Sequence, residues 1–122
     1  VQNMLMVYFH EDVCTPKKLS VWFAFLGEAP ARQTYLEITH RYVEAYVDVL
    51  RDLCADLIEA GGYGTLDPRA IARSLLAACD GLWLQRMLRP DTLSSDECAQ
   101  NLQGLLSAYF PNHFDPPGPA GG

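Results

Sequence analysis

Positive charge is scarce in this chain. Nine Lys and Arg stand against fifteen Asp and Glu, for a formal net charge of −6. A surface that binds nucleic acid needs clustered cations to offset phosphate, so this chain is not expected to touch DNA or RNA itself. Histidine is scarcer still: His10, His40 and His113 lie far apart. No G-x-S-x-G, P-loop, H-E-x-x-H or dinucleotide fingerprint occurs, and with them go the marked routes to an enzyme. The segment His10-Glu11-Asp12-x-Cys14 fits no structural zinc spacing. Neither a catalytic site, a metal nor a cofactor is therefore expected. Long apolar runs are missing as well. No stretch reaches the roughly 20 residues of a membrane helix, and the opening run has no basic flank or small-residue cleavage site. Cys14, Cys54, Cys79 and Cys98 form no C-x-x-C pair, in a chain without the loop-rich character of a disulfide scaffold. They read as buried free thiols in a reducing cytoplasm.

What is present is helical periodicity. With 49% hydrophobic and 20% charged residues over 122 positions, the chain has enough apolar material for one core. Five helices and no strands are predicted. The first, from residue 1 to about 10, carries no start signal, so more sequence is expected upstream. Thr15 followed by Pro16 starts the second, which runs to about Ala29 with Leu19, Trp22, Phe23 and Leu26 on one face. Pro30 closes it or sits at the corner into the third helix, about Ala31 to Ala60. There Tyr35, Thr39, Tyr42, Tyr46, Val49 and Leu53 form one apolar stripe. Leu36, Val43, Val47, Leu50 and Cys54 form another, together wide enough to pack against two neighbours. The opposite row, from Glu37 through Glu44, Asp48 and Asp52 to Asp56, is expected to face water. Gly61-Gly62-Tyr63-Gly64 stops the helix. Asp67-Pro68 starts the fourth, to about Arg89, whose Arg86 and Arg89 complement the helix dipole. Ser94 and Glu97 spell a capping box for the fifth, which ends near Phe110. The Pro- and Gly-rich segment 115–122 is expected to be disordered.

Candidate chemistry is sparse but patterned. Asp80 and Glu28 are acids among bulky apolar neighbours. Asp80 invites pairing with Arg73, Arg86 or water, or forms the anionic wall of a cation pocket. Trp22 with Phe25, Tyr42 with Tyr46, and Trp83 are core packing or the faces of an aromatic box, each ring contributing roughly 0.5–2 kcal/mol of cation–π attraction. Gly81 costs about 1 kcal/mol in a helix interior, so it implies a close approach to another helix or to a pocket wall.

Two segments resemble a known family. Val21-Trp22-Phe23-Ala24-Phe25-Leu26-Gly27-Glu28 and Asp80-Gly81-Leu82-Trp83-Leu84-Gln85-Arg86 look like the C-terminal half of TetR-type regulators, nearest the choline-responsive BetI type. The likeness spans roughly residues 9–114. Leu26 stands where that type often has a second tryptophan, and Cys79 where it has an aliphatic residue. The resemblance implies an all-α domain over 1–114 that binds an effector and dimerises. The operator DNA would be held only by a helix-turn-helix that this chain does not carry. The implied effector is choline or another small cation, contacted by Trp22, Phe25, Tyr42, Tyr46 and Trp83 and neutralised by Asp80 or Glu28. A hydrophobic effector on the same fold is the alternative, and a freestanding helical enzyme or scaffold is a more remote one. The last two helices would pair with those of a second copy as a four-helix bundle. The small stripe Ala70, Ser74, Ala77, Ala78 and Gly81 would permit that approach, with Leu102, Leu105 and Tyr109 from the fifth helix.

Overall fold

Three of the helices begin where the sequence places a cap. In the computed structural model, which describes residues 2–117, α1 spans Gln2–Met6 and runs into a 3-10 turn, Val7–Phe9. Helix α2, Pro16–Gly27, starts with the Thr15 hydroxyl accepting the Lys18 amide at 3.3 Å. Helix α4, Pro68–Leu88, starts with the Asp67 carboxylate accepting the Arg69 amide at 3.1 Å. Helix α5, Ser95–Tyr109, starts with the Ser94 hydroxyl accepting the Glu97 amide at 3.1 Å. That last cap is half of the expected box. The Ser94 hydroxyl also donates to the Glu97 carboxylate, at 3.4 Å, so the two side chains meet each other.

Helix α3, Ala29–Gly61, is 33 residues long, or about 50 Å at 1.5 Å per residue. Pro30 lies in its first turn, where a missing amide costs nothing. The corner with α2 is therefore the single extended residue Glu28. At the other end Gly62 adopts φ +66°, and its amide bonds back to the Ile58 carbonyl, as does that of Tyr63 at 3.1 Å. Only a residue without Cβ takes this left-handed cap without strain.

Helix α4 is the hub, packed against α2, α3 and α5, while α1 and the 3-10 turn lie against α5. Ile71, Ala72, Leu75 and Cys79 give it a buried face that meets Leu50 and Cys54 of α3, Leu19 of α2, Leu102 and Leu106 of α5, and Leu5 of α1. All four cysteines are buried and unbridged, and burial holds the Cys54 and Cys98 thiols up at about 11. No strand occurs among the described residues, and no helix is long and apolar enough to cross a membrane.

Three expectations change. The apolar face of α3 is fully buried only over its second half, at Val47, Leu50 and Cys54. Leu36 and Val43 are largely exposed because the first half has a neighbour on one side only. The acidic row is not wholly solvated. Asp48 bonds Arg69 of α4 at 3.1 Å and Glu44 approaches Arg73 at 3.8 Å, both near the surface, where such pairs contribute about 0–1 kcal/mol. Arg86 does more than complement a dipole. Its guanidinium donates to the carbonyls of Pro90 at 2.9 Å and Leu93 at 2.7 Å, tying down the α4–α5 turn. Arg86→Met keeps the packed stem and loses both bonds. A loss of about 2 kcal/mol in urea unfolding is expected, and an unchanged midpoint would deny the turn this role.

Of segment 115–122, residues 118–122 lie outside the described residues. Residues 115–117 have no regular structure, although the Asp115 carbonyl accepts a bond from Gln103 at 2.7 Å.

Candidate functional site

Between α2, α3 and α4, closed at one end by the 3-10 turn, lies a cavity of about 970 Å3 that is partly open to solvent. Its α2 wall is apolar: Leu19, Trp22, Phe23 and Leu26. The α3 wall is the stripe that begins at Tyr35 and Thr39 and continues through Tyr42, Val43, Tyr46 and Val47. The helical spacing that suggested core packing thus builds a cavity wall instead, because α2 diverges from α3 beyond the Glu28 corner. Charge enters only from α4, through Arg73 and Asp80, which flank Leu76 and Ala77 and lead to Trp83.

Two aromatic groups stand on these walls. Trp22 meets Tyr35 edge-on at 5.1 Å and stacks on Phe25 at 6.1 Å. Trp83 lies 4.8 Å from Tyr8, and its indole N–H donates to the Tyr8 carbonyl at 2.7 Å. That bond sets the 3-10 turn against α4. Tyr46 secures α1 in the same way, its hydroxyl donating to the Met4 carbonyl at 2.9 Å.

The two charges differ in compensation. Arg73 is matched by Glu44. Among the described residues Asp80 makes no ion pair and no hydrogen bond, since Arg86, its other candidate partner, is engaged with carbonyls. Asp80 remains solvent-exposed on the cavity lining, and partial removal from water raises its carboxyl above its ordinary value. The same burial, together with the Asp80 charge, raises the Tyr8 phenol and pushes the Cys79 thiol up to about 12.

Of the expected ligand residues, Trp22, Tyr42, Tyr46, Asp80 and Trp83 share this cavity. Phe25 does not reach it and backs Trp22 from outside. Glu28 is a correction: it is the exposed corner residue at the start of α3, turned away by its extended backbone, and cannot supply the countercharge. The structure adds Tyr8 and Tyr35 to the cavity lining. Tyr35 heads the α3 stripe and was within reach of periodicity, whereas Tyr8 is placed by a 3-10 turn that leaves no periodic trace.

A family described as the BetI-type transcriptional repressor, C-terminal, matches residues 1–111. The chain belongs to that family. Neither a curated protein nor a solved structure matches it. The BetI-type domain is a transcriptional regulator's, and its all-helical architecture is the one described here.

The outer face of the BetI-type domain bears on assembly. Ala70, Ser74 and Gly81 are exposed on α4, and a Cβ at Gly81 or at Gly104 of α5 would meet nothing within 4 Å. Gly81 is therefore not crowded inside this protomer, and it lies off the cavity. Ala78 and Leu105 border a groove between α4 and α5 with Gly81 and Gly104. Two residues expected on this face are elsewhere. Ala77 lines the cavity, and Leu102 is fully buried in the core, inside the turn of α5 that faces α4. Tyr109 is half-buried against the same core.

Proposed function

We propose that this domain is the effector-sensing and dimerising part of a repressor, and that an organic cation bound in the α2–α3–α4 cavity relieves operator binding. The observation that carries the reading is the position of α4. One side of it lines the cavity with Asp80 and Trp83, and the other presents Ala70, Ser74 and Gly81 outward. In a twofold dimer joined through α4 and α5, a ligand that moves α4 alters the relation of the two subunits. DNA-reading helices carried by them must span half-sites about 34–36 Å apart. A ligand that prefers one α4 position therefore carries a differential affinity between operator-bound and released states. The cationic class follows from Asp80, uncompensated and beside the Tyr8–Trp83 pair. Choline is the candidate that family likeness supplies. An apolar neutral effector would leave Asp80 unused.

The test is a fluorescence titration of this chain with choline or tetramethylammonium, following Trp22 and Trp83, at several pH values. Saturable quenching is expected, weakened by Ala77→Phe, which intrudes on the cavity from its α4 wall. Only the ionised Asp80 attracts a cation, and its carboxyl is raised. Affinity should therefore fall on acidification while ordinary carboxylates are still charged. The other titratable or charged groups around it are Tyr8, Tyr35, Tyr46 and Arg73. Asp80→Asn should weaken binding and flatten this dependence. For folding the sign reverses: the native state holds the Asp80 proton more tightly than the unfolded chain, so its ionisation opposes folding as pH rises. The Asp80→Asn protein should melt no lower than the parent at neutral pH. A flat titration by every cation tried, in a folded protein, sinks the effector reading.

A further inference from the structure

The cavity is much larger than the cation that family likeness supplies. Taking about 30 Å3 per water-sized unit as a guide, a small quaternary ammonium of about seven non-hydrogen atoms fills on the order of 200 Å3. The cavity holds about 970 Å3, at the upper end of sites that enclose drug-sized ligands. Its α3 wall runs from Tyr35 to Val47, a length of about 18 Å at 1.5 Å per residue. Charge is unevenly placed around that volume. The α2 wall carries no ionisable side chain, and the α3 wall only tyrosine hydroxyls, one of them already donating to the Met4 carbonyl. The α4 wall carries Asp80, without an ion-pair partner among the described residues, and Arg73, 3.8 Å from Glu44 near the surface. One end of a ligand therefore meets a single negative charge on the α4 wall near Tyr8, and the rest meets hydrocarbon and ring faces.

We propose that the cavity takes an amphiphilic monocation. Its ammonium group sits against Asp80 beside the Tyr8–Trp83 pair, and its apolar chain or ring system of about ten or more carbons lies in the trough between α2 and α3. This rests on the effector reading above and names its ligand class. A small cation fills only the Asp80 end and leaves the trough wet. An amphiphilic anion meets Asp80 with the wrong sign, and Arg73, its possible partner, is an exposed side chain already 3.8 Å from Glu44. A neutral amphiphile fills the trough but gives the Asp80 carboxylate no countercharge.

Four probes separate these classes: choline, decyltrimethylammonium, decanol and decanoate. Each is titrated below its micelle concentration against this chain, by tryptophan emission, with helicity checked throughout. Each methylene moved from water into the trough tightens binding roughly fourfold. Allowing for incomplete burial, the decyl cation is expected to bind at least ~100-fold tighter than choline. It should also exceed decanol and decanoate by ~10-fold or more, with Asp80→Asn removing the margin over decanol. Choline binding as tightly as the decyl cation would overturn the amphiphile while keeping the cation sensor. Decanol or decanoate matching the decyl cation, with Asp80→Asn without effect, would overturn the cationic end while keeping the cavity as a ligand site. Binding of none of the four to folded protein would overturn this proposal and the effector reading together.

Discussion

Gly104→Arg is expected to leave the chain monomeric by blocking the proposed dimer. On the proposed assembly, Gly104 lies with Gly81 on the outer face of α4 and α5, where a Cβ has open space in the protomer and a second copy would come close. An arginine there either holds the two copies apart or is buried without a partner, at about 3–5 kcal/mol for an uncompensated charge. The dimer dissociation constant should rise by at least ~100-fold, read by sedimentation equilibrium across micromolar concentrations. Arginine is a better helix former than glycine, so loss of the dimer would not reflect a broken α5, and far-UV dichroism should keep its helical signal. A variant as dimeric as the parent would remove this face from the assembly, and a monomeric parent would remove the dimer altogether.

Leu102→Ala should do the opposite. Leu102 is fully buried among Leu75, Cys98 and Leu106 inside the protomer. Truncation leaves a cavity in a packed core and costs about 2–5 kcal/mol, a large share of the roughly 5–15 kcal/mol that holds a domain of this size together. The urea midpoint should drop sharply, and the loss should not scale with protein concentration as a subunit contact would. A strong concentration dependence would return Leu102 to the interface. The two variants together separate core from contact on one helix.

The α5 stripe shows where periodicity stops being informative. Leu102, Leu105 and Tyr109 recur at helical spacing, and nothing in that spacing says whether the stripe faces its own protomer or another. The structure divides it: Leu102 goes fully inward, and Leu105 sits at the rim of the outer groove. Tyr35, Thr39, Tyr42 and Tyr46 pose the same ambiguity on α3. Their spacing is that of a packed face, yet they border empty volume, because whether a face is filled depends on the distance to the helix opposite. Glu28 and Asp80 looked alike as acids among apolar residues. Glu28 became a corner and Asp80 a cavity wall.

What the chain determined by itself is local and short-ranged. Thr15-Pro16, Asp67-Pro68 and Ser94 set three helix starts, and Gly62 a left-handed stop. Hydrogen bonding within a few residues dictates these. The all-helical class follows from the period of apolar residues, and the family from motifs that this local order keeps in register. Tertiary structure decided which faces close on each other. It brought Tyr8, some 75 residues away in sequence, under the indole of Trp83, left Asp80 without a partner by drawing Arg73 to Glu44 and Arg86 to the α4–α5 turn, and opened the cavity beside it. Those outcomes depend on competition among several partners for one side chain and on the angle between helices, neither of which is encoded at any single spacing along the chain.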